Sequence, residues 1–278
     1  VTGASSGFGR AVTETVLEKG DIVSATLRNP SALEDLSSIT SSEKLLVIKC
    51  DVTQSTDIST AFEETIKKFG RCDVVFNNAG YGIVGEVEGT PDDAARKLFE
   101  TNFWGAANIS RESIRVFREC NPKGDGGRLL TMSSGAGFKG VAGGGYYAAS
   151  KHALQGLTDS LAKEMNPAWN IKISILEPGA FKTRAHRENN VTFPPHPAYT
   201  DPDLPSQKLR RNFEVRTRKG DVHRAAERIF EFAGLEYPPL HWPIGHDAIA
   251  GVRKQINDVT EQVNAYEFWS DGLTFDAV

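Results

Sequence analysis

With 278 residues, 39% hydrophobic and 24% charged, the chain has an ordinary globular composition and reads as one unit over 1–278. A net charge of −4 argues against a nucleic-acid partner, and no apolar run is long enough to span a membrane. Cys50, Cys72 and Cys120 are scattered and odd in number, without metal-ligand spacing, so they read as free thiols and no metal is expected.

Thr2-Gly3-Ala4-Ser5-Ser6-Gly7-Phe8-Gly9 is a glycine-rich turn running into a helix over 10–19 that stops at Gly20. Glycines let the backbone approach a pyrophosphate, and the helix N-terminus offers free N–H groups and a positive dipole end. Such a turn normally follows a strand. Only Val1 could belong to that strand here, so the first strand is expected to be missing, and residues 1–278 alone are expected to fold poorly.

Residues 21–27 read as a strand, with Arg28 directly after it. In a dinucleotide site an acid about 20 residues beyond the glycines binds the ribose hydroxyls, whereas an arginine accommodates a 2′-phosphate. Leu27-Arg28, with no acid, points to NADP(H) over NAD(H). A short helix over 31–36 precedes a strand over 44–50 that ends in Asp51-Val52. A carboxylate there can accept from an adenine amino group. An amphipathic helix over 55–69 closes at Gly70, and a strand over 72–76 ends in Asn77-Asn78-Ala79-Gly80, small and amide residues suited to a backbone passing close to a ligand.

Pro91 opens a helix running to about residue 120, with Asn102 in its middle. An amide is unfavourable there by propensity, so it either faces solvent or serves a purpose. A strand over 128–133 ends in Ser133-Ser134, the glycine-rich 135–145 leads into a helix over 147–165, and a strand over 171–176 precedes Glu177-Pro178-Gly179. This alternation predicts an α/β, Rossmann-type doubly wound parallel sheet in three layers. Ligands of such sheets bind at the carboxyl ends of the strands, where the glycine loop, Arg28, Asp51, Asn78, Ser134 and Pro178 all fall.

Tyr147 and Lys151 stand four apart on the helix, so the two side chains share a face. A phenol ordinarily ionises at about pH 10, and a neighbouring ammonium is expected to pull it down. A tyrosine so tuned can exchange a proton with a carbonyl or alcohol oxygen. The neighbouring Tyr146 has only Ser150 at that spacing.

Beyond Thr183 the pattern changes. Residues 184–220 are proline-rich and irregular at first, with Pro194, Pro195, Pro197, Pro202 and Pro205, and read as a substrate loop or lid beginning near His186. Lys208, Arg210, Arg211, Arg216, Arg218, Lys219, Arg224 and Arg228 alternate with Glu214, Asp221 and Glu227, which predicts a solvated helical face. Residues 221–232 read as a helix and 239–244 as a last strand. A C-terminal helix within 246–268 carries Ile249, Val252, Ile256, Val259, Val263 and Tyr266 on one stripe, with core or interface packing as its expected role. Phe138, Phe181, Phe193, Tyr199, Phe213 and Trp242 are candidate walls of an apolar pocket.

Together these motifs resemble the single-domain branch of the short-chain dehydrogenase/reductase family, with hydroxysteroid and retinol dehydrogenase-like features, over residues 1–183. Thr2 to Gly9 looks like the family's T-G-x-x-x-G-x-G loop, with Phe8 where isoleucine or leucine is usual, and Asn77-Asn78-Ala79-Gly80 looks like its N-N-A-G motif. Asn102, Ser134, Tyr147 and Lys151 match its catalytic tetrad, with Ser133 the weaker alternative for the serine, and Pro178-Gly179 with Thr183 matches the segment on the nicotinamide side. The resemblance implies that Gly3, Ser5, Ser6, Gly7, Phe8, Gly9, Asp51, Val52, Asn78, Ala79 and Gly80 hold the cofactor with Tyr147 and Lys151, and that Ser6 and Arg28 contact the NADP 2′-phosphate. It implies carbonyl–alcohol interconversion on a small, apolar substrate: Ser134 polarises the oxygen, Tyr147 exchanges the proton, Lys151 lowers the tyrosine pKa and binds the ribose, and Asn102 holds a relay water. A cytoplasmic location is expected, and a homodimer or homotetramer is admitted. An NADP(H)-sensing regulator without chemistry is the competing reading, ahead of an epimerase or dehydratase of the same fold.

Overall fold

The computed structural model describes residues 1–183, 190–215 and 220–273, the side chains of 213–215 excepted. His186, Arg216, Arg218 and Lys219 therefore lie outside the described residues, as do the side chains of Phe213 and Glu214. The strands are β1 Val23–Leu27, β2 Leu45–Lys49, β3 Val74–Asn77, β4 Gly82–Val84, β5 Gly127–Met132, β6 Ile171–Pro178, β7 Phe181–Lys182, β8 Asn190–Thr192, β9 Gly220–Asp221 and β10 His241–Ile244. The α-helices are α1 Gly7–Glu18, α2 Glu34–Ile39, α3 Ser55–Phe69, α4 Asp92–Phe99, α5 Ala106–Glu119, α6 Gly145–Glu164, α7 Pro205–Val215, α8 Val222–Ala233 and α9 His246–Tyr266.

The main sheet is parallel. β3, β5, β6 and β10 form one ordered block and β2 and β1 another. Val1 and Thr2 fill the lane between the blocks. The Val1 carbonyl accepts from Thr26 N at 2.9 Å, Thr2 N donates to Phe76 O at 3.0 Å, and Thr2 pairs with Thr26 as a parallel bridge. These two residues thus occupy the place of the expected first strand.

Successive strand residues face opposite layers, and the core divides accordingly. Leu129 and Ile173 pack with Ile58, Phe62, Ile109 and Phe117 under α3 and α5. Leu130, Met132 and Leu176 pack with Val12, Ile229 and Phe232 under α1 and α8. The predicted three-layer Rossmann-type α/β sandwich is what forms.

Four elements depart from the sequence expectation. The helix from Pro91 is not uniform: a π-helical turn, Glu100–Gly105, separates α4 from α5. The short β4 pairs in parallel with β8, which puts a strand inside the segment read as irregular. The basic stretch is not all solvated face, because Arg210 is largely buried against Glu86. The apolar stripe of α9 packs only at its start, and Ile256, Val259, Val263 and Tyr266 are exposed.

Candidate active site

The glycine loop is set by backbone it alone can adopt. Gly3 and Gly7 have φ of +67° and +56°, in the left-handed region. A Cβ on Gly9 would lie 2.2 Å from the Gly3 carbonyl oxygen, so the helix can start this close to the loop only with glycine there. Thr2 Oγ1 accepts from Asn78 N at 2.8 Å and Ala79 N at 3.0 Å, and Asn78 Nδ2 donates to Thr2 O at 2.9 Å. The glycine loop and the turn after β3 are therefore one rigid rim. Arg28 is exposed at the end of β1 and makes no hydrogen bond or ion pair among the described residues. Asp51 accepts from Thr53 N at 3.0 Å and Thr53 Oγ1 at 2.8 Å, which fixes the turn after β2, while Val52 is buried against Gly105.

The polar centre lies between this rim and α6. Tyr147 and Ser134 lie close enough that the serine hydroxyl favours the ionised phenol. Ser134 also accepts from Ala136 N at 3.1 Å. Ser133 is different: it is buried, and its hydroxyl accepts from Gln155 Nε2 at 3.0 Å. Lys151 is buried on the same face of α6, with Nζ donating to Met132 O at 2.9 Å.

Asn102 sits in the π-turn, fully buried. Its Oδ1 accepts from Tyr81 N at 3.0 Å, and its Nδ2 donates to Tyr81 O at 2.9 Å and Ser150 Oγ at 3.2 Å. The wider turn answers why an asparagine stands mid-helix, since π-turns open one position of the ladder to other partners. Gly80 lies where these groups meet: a Cβ there would be 3.0 Å from Asn102 Oδ1 and 3.6 Å from Lys151 Nζ.

The electrostatics differ from the expectation in one respect. Burial pushes the Tyr147 phenol up from its ordinary value, with the Ser134 hydroxyl acting against it. Burial pulls Lys151 down to about 8. Burial is the larger effect on the phenol here. Desolvation penalises both charged forms, and the ammonium spends its hydrogen bond on a backbone carbonyl.

On the opposite edge, Pro178 ends β6 and Gly179 follows it. Gly179 N donates to Ile244 O at 2.9 Å and Ala180 N to Asp247 Oδ2 at 2.7 Å. A Cβ on Gly179 would strike that carboxylate at 2.2 Å. Asp247 thus shapes this turn, a role that its place at the start of α9 does not signal.

Two further clusters escaped the sequence reading. Glu177 is fully buried behind Ser133. Its Oε1 lies 2.6 Å from His241 Nδ1 and accepts from Gln155 Nε2 at 3.3 Å, while Oε2 has no partner among the described residues. His241 Nε2 reaches Asp159 Oδ1 at 3.0 Å. Burial pushes Glu177 up to about 7. Burial works to lower His241, but hydrogen bonds with Glu177 and Asp159 raise it overall. An acid within the apolar run of β6 was the available signal.

Glu86 is the other. Its carboxylate accepts from Arg210 Nη2 at 2.5 Å and Nε at 3.2 Å, from Gln207 Nε2 at 3.3 Å and from His196 N at 3.4 Å. Arg210 Nη1 continues to Phe193 O at 2.5 Å. The segment 190–210 is thereby strapped beside Tyr147, whose ring lies 3.9 Å from where a Gly82 Cβ would be.

The five aromatic candidates whose side chains are described do not form one wall. Phe181 packs edge-on against Phe8 at 5.1 Å, Trp242 stacks on Phe232 at 4.2 Å, and Phe138 lies against His241. Tyr199 donates to Glu88, whereas Phe193 lies beside Gly85, next to the strap.

Comparison with known proteins agrees with this geometry. The short chain dehydrogenase family model matches residues 1–192. An uncharacterised oxidoreductase of Schizosaccharomyces pombe is 37% identical over 95% of this chain and 87% of that protein. A 3-ketodihydrosphingosine reductase of Bacteroides thetaiotaomicron is 32% identical over 88% of this chain and 86% of that protein. A crystal structure of a short-chain dehydrogenase from Streptomyces avermitilis, 34% identical, superposes with a TM-score of 0.89 over 99% of this chain and 97% of that one. In fold, motif order and sequence alike, this chain belongs to the short-chain dehydrogenase/reductase family.

Proposed function

We propose that the chain interconverts a ketone or aldehyde with its alcohol by hydride transfer using NADP(H), with Tyr147 as the acid/base. The observation that carries this reading is the convergence of Tyr147 and Ser134 with buried Lys151 on the same helix face and Asn102 across Gly80. Ser134 would orient the substrate oxygen, and it is the serine of choice because the Ser133 hydroxyl is committed to Gln155. Tyr147 would deliver the proton in reduction and remove it in oxidation. Lys151, pulled down to about 8, holds its charge on the tyrosine's side of α6. Asn102 fixes Tyr81 and Ser150 around that lysine.

The residues present fit a dinucleotide. The loop from Gly3 through Ser5, Ser6, Gly7 and Phe8 to Gly9 is a bare backbone cradle at a helix N-terminus. Asp51 and Val52 would flank the adenine; Asn78, Ala79 and Gly80 the ribose; and Pro178, Gly179 and Thr183 the nicotinamide side. The uncommitted guanidinium of Arg28, with Ser6, suits a 2′-phosphate, which favours NADP(H) over NAD(H). When bound, the nicotinamide supplies or accepts the hydride. The strap over 190–210 would cover the substrate. Phe193 within it, and a relative named for reducing 3-ketodihydrosphingosine, favour an apolar carbonyl compound.

The test is NADPH oxidation across a panel of ketones and aldehydes. Tyr147→Phe should lose roughly 10²–10⁴-fold in kcat with NADPH binding intact. Unchanged turnover in that variant would remove the tyrosine from the chemistry.

A further inference from the structure

The last helix leaves the body of the protein. Ala248 is buried and Ile249 and Val252 are half-buried, yet every residue from 259 to 273 is exposed. Ile256, Val259, Val263 and Tyr266 are 59%, 46%, 58% and 65% exposed. The helix has 21 residues, and its exposed part gains nothing from tertiary packing, the main source of helix stability in proteins. The spacing of Ile249, Val252, Ile256, Val259, Val263 and Tyr266 alternates strictly between three and four. That is the narrow seam of a two-helix coil rather than the broad face that a helix shows to a core.

The charge pattern selects the occupant. The first part of the seam is flanked by Arg253 and Lys254, whereas Asp258, Glu261 and Glu267 follow toward the carbonyl end, where an isolated helix disfavours acids. Lys254 is paired with Asp258 in its own helix. Arg253 and Glu267 have no ion pair among the described residues. Acids outnumber cations along the arm, so anionic lipid headgroups are a poor match. Opposite charges at the two ends of one apolar seam are self-complementary when reversed.

We propose that a second copy of this chain covers the arm, with the two α9 helices antiparallel about a two-fold axis. The heptad register then sets Ile256 against Tyr266 of the second copy and Val259 against Val263 of the second copy. It uses the four exposed seam residues and leaves Ile249 and Val252 on the body. In the same register Arg253 meets Glu267 of the second copy, twice by symmetry.

Light-scattering mass and sedimentation equilibrium of the full chain test this. A dimer is expected at micromolar concentration. The double variant Val259→Asp/Val263→Asp should halve the mass, with the far-ultraviolet spectrum of the body retained, since both positions are exposed. Arg253→Glu should weaken the dimer about tenfold, and adding Glu267→Arg should restore it. A monomer at all concentrations, a dimer indifferent to the valine substitutions, or a charge swap that fails to rescue would each overturn the proposal. So would sedimentation of the wild-type chain with anionic vesicles through Val259 and Val263.

Discussion

Glu86→Gln tests the strap. The carboxylate is almost wholly buried, at 2% side-chain exposure against 11% for Arg210, and the guanidinium holds its pKa at about 2, down from an ordinary 4.5. A drop of that size corresponds to roughly 3 kcal/mol at neutral pH. The folded pKa is depressed, so this contribution is complete above about pH 4.5 and is lost as pH falls toward 2. Glutamine keeps the shape but removes the charge, leaving Arg210 buried beside Phe193 O. Breaking a buried pair in this way costs about 3–5 kcal/mol where the structure cannot yield. Here it can yield: beside the short β4–β8 pairing and the Tyr199–Glu88 bond, the strap is held by Glu86, so the segment should release before the sheet does. Hydrogen exchange across 190–210 should rise by orders of magnitude while the global Tm moves little. KM for the carbonyl substrate should rise more than KM for NADPH. If exchange in 190–210 stays protected and KM is unchanged, Glu86 does not hold the strap. If instead the whole protein melts in step, the strap is part of the core.

Arg28→Ala should raise KM for NADPH by about 10–100-fold, as expected for a lost charge-assisted contact, and leave KM for NADH nearly unchanged. Equal effects on both would refute the 2′-phosphate assignment. Glu177→Gln addresses the cluster behind Ser133. The folded pKa of Glu177 is raised to about 7, so the wild type should lose stability as pH rises from about 4.5 through 7. Tm compared at pH 5 and pH 8 should differ less in the glutamine variant; an identical difference would show that Glu177 does not titrate there.

The sheet was legible because its signals are local. Apolar runs set off by turn residues mark the strands of the main sheet, and the opposite facing of Leu129 and Leu130 follows from strand pleating. The glycine loop could be read too, because Gly3 answers to its own left-handed backbone and Gly9 to the Gly3 carbonyl six residues before it. What escaped depends on distant partners. Glu86 and Arg210 meet across 124 positions, and His241 meets Glu177 across 64. Neither has a periodicity to betray it. The seam of α9 was visible as spacing, but spacing alone does not tell a core from an arm. For Tyr147 and Lys151, helical spacing shows which charge is near, whereas burial decides how much each charge costs.

The π-turn at Glu100–Gly105 acts as a gear between the site and the core. Each residue of an α-helix advances the chain by about 100°. Deleting one residue to restore a regular helix would rotate everything beyond it by that angle. Ile109, Ser113, Val116 and Phe117, buried now, would then swing off the sheet. Asn102 itself would turn away from Tyr81. The extra residue in this turn therefore meshes the aim of one amide with the seating of a whole helix. Wherever the core is packed as it is here, the amide has a single direction in which to point.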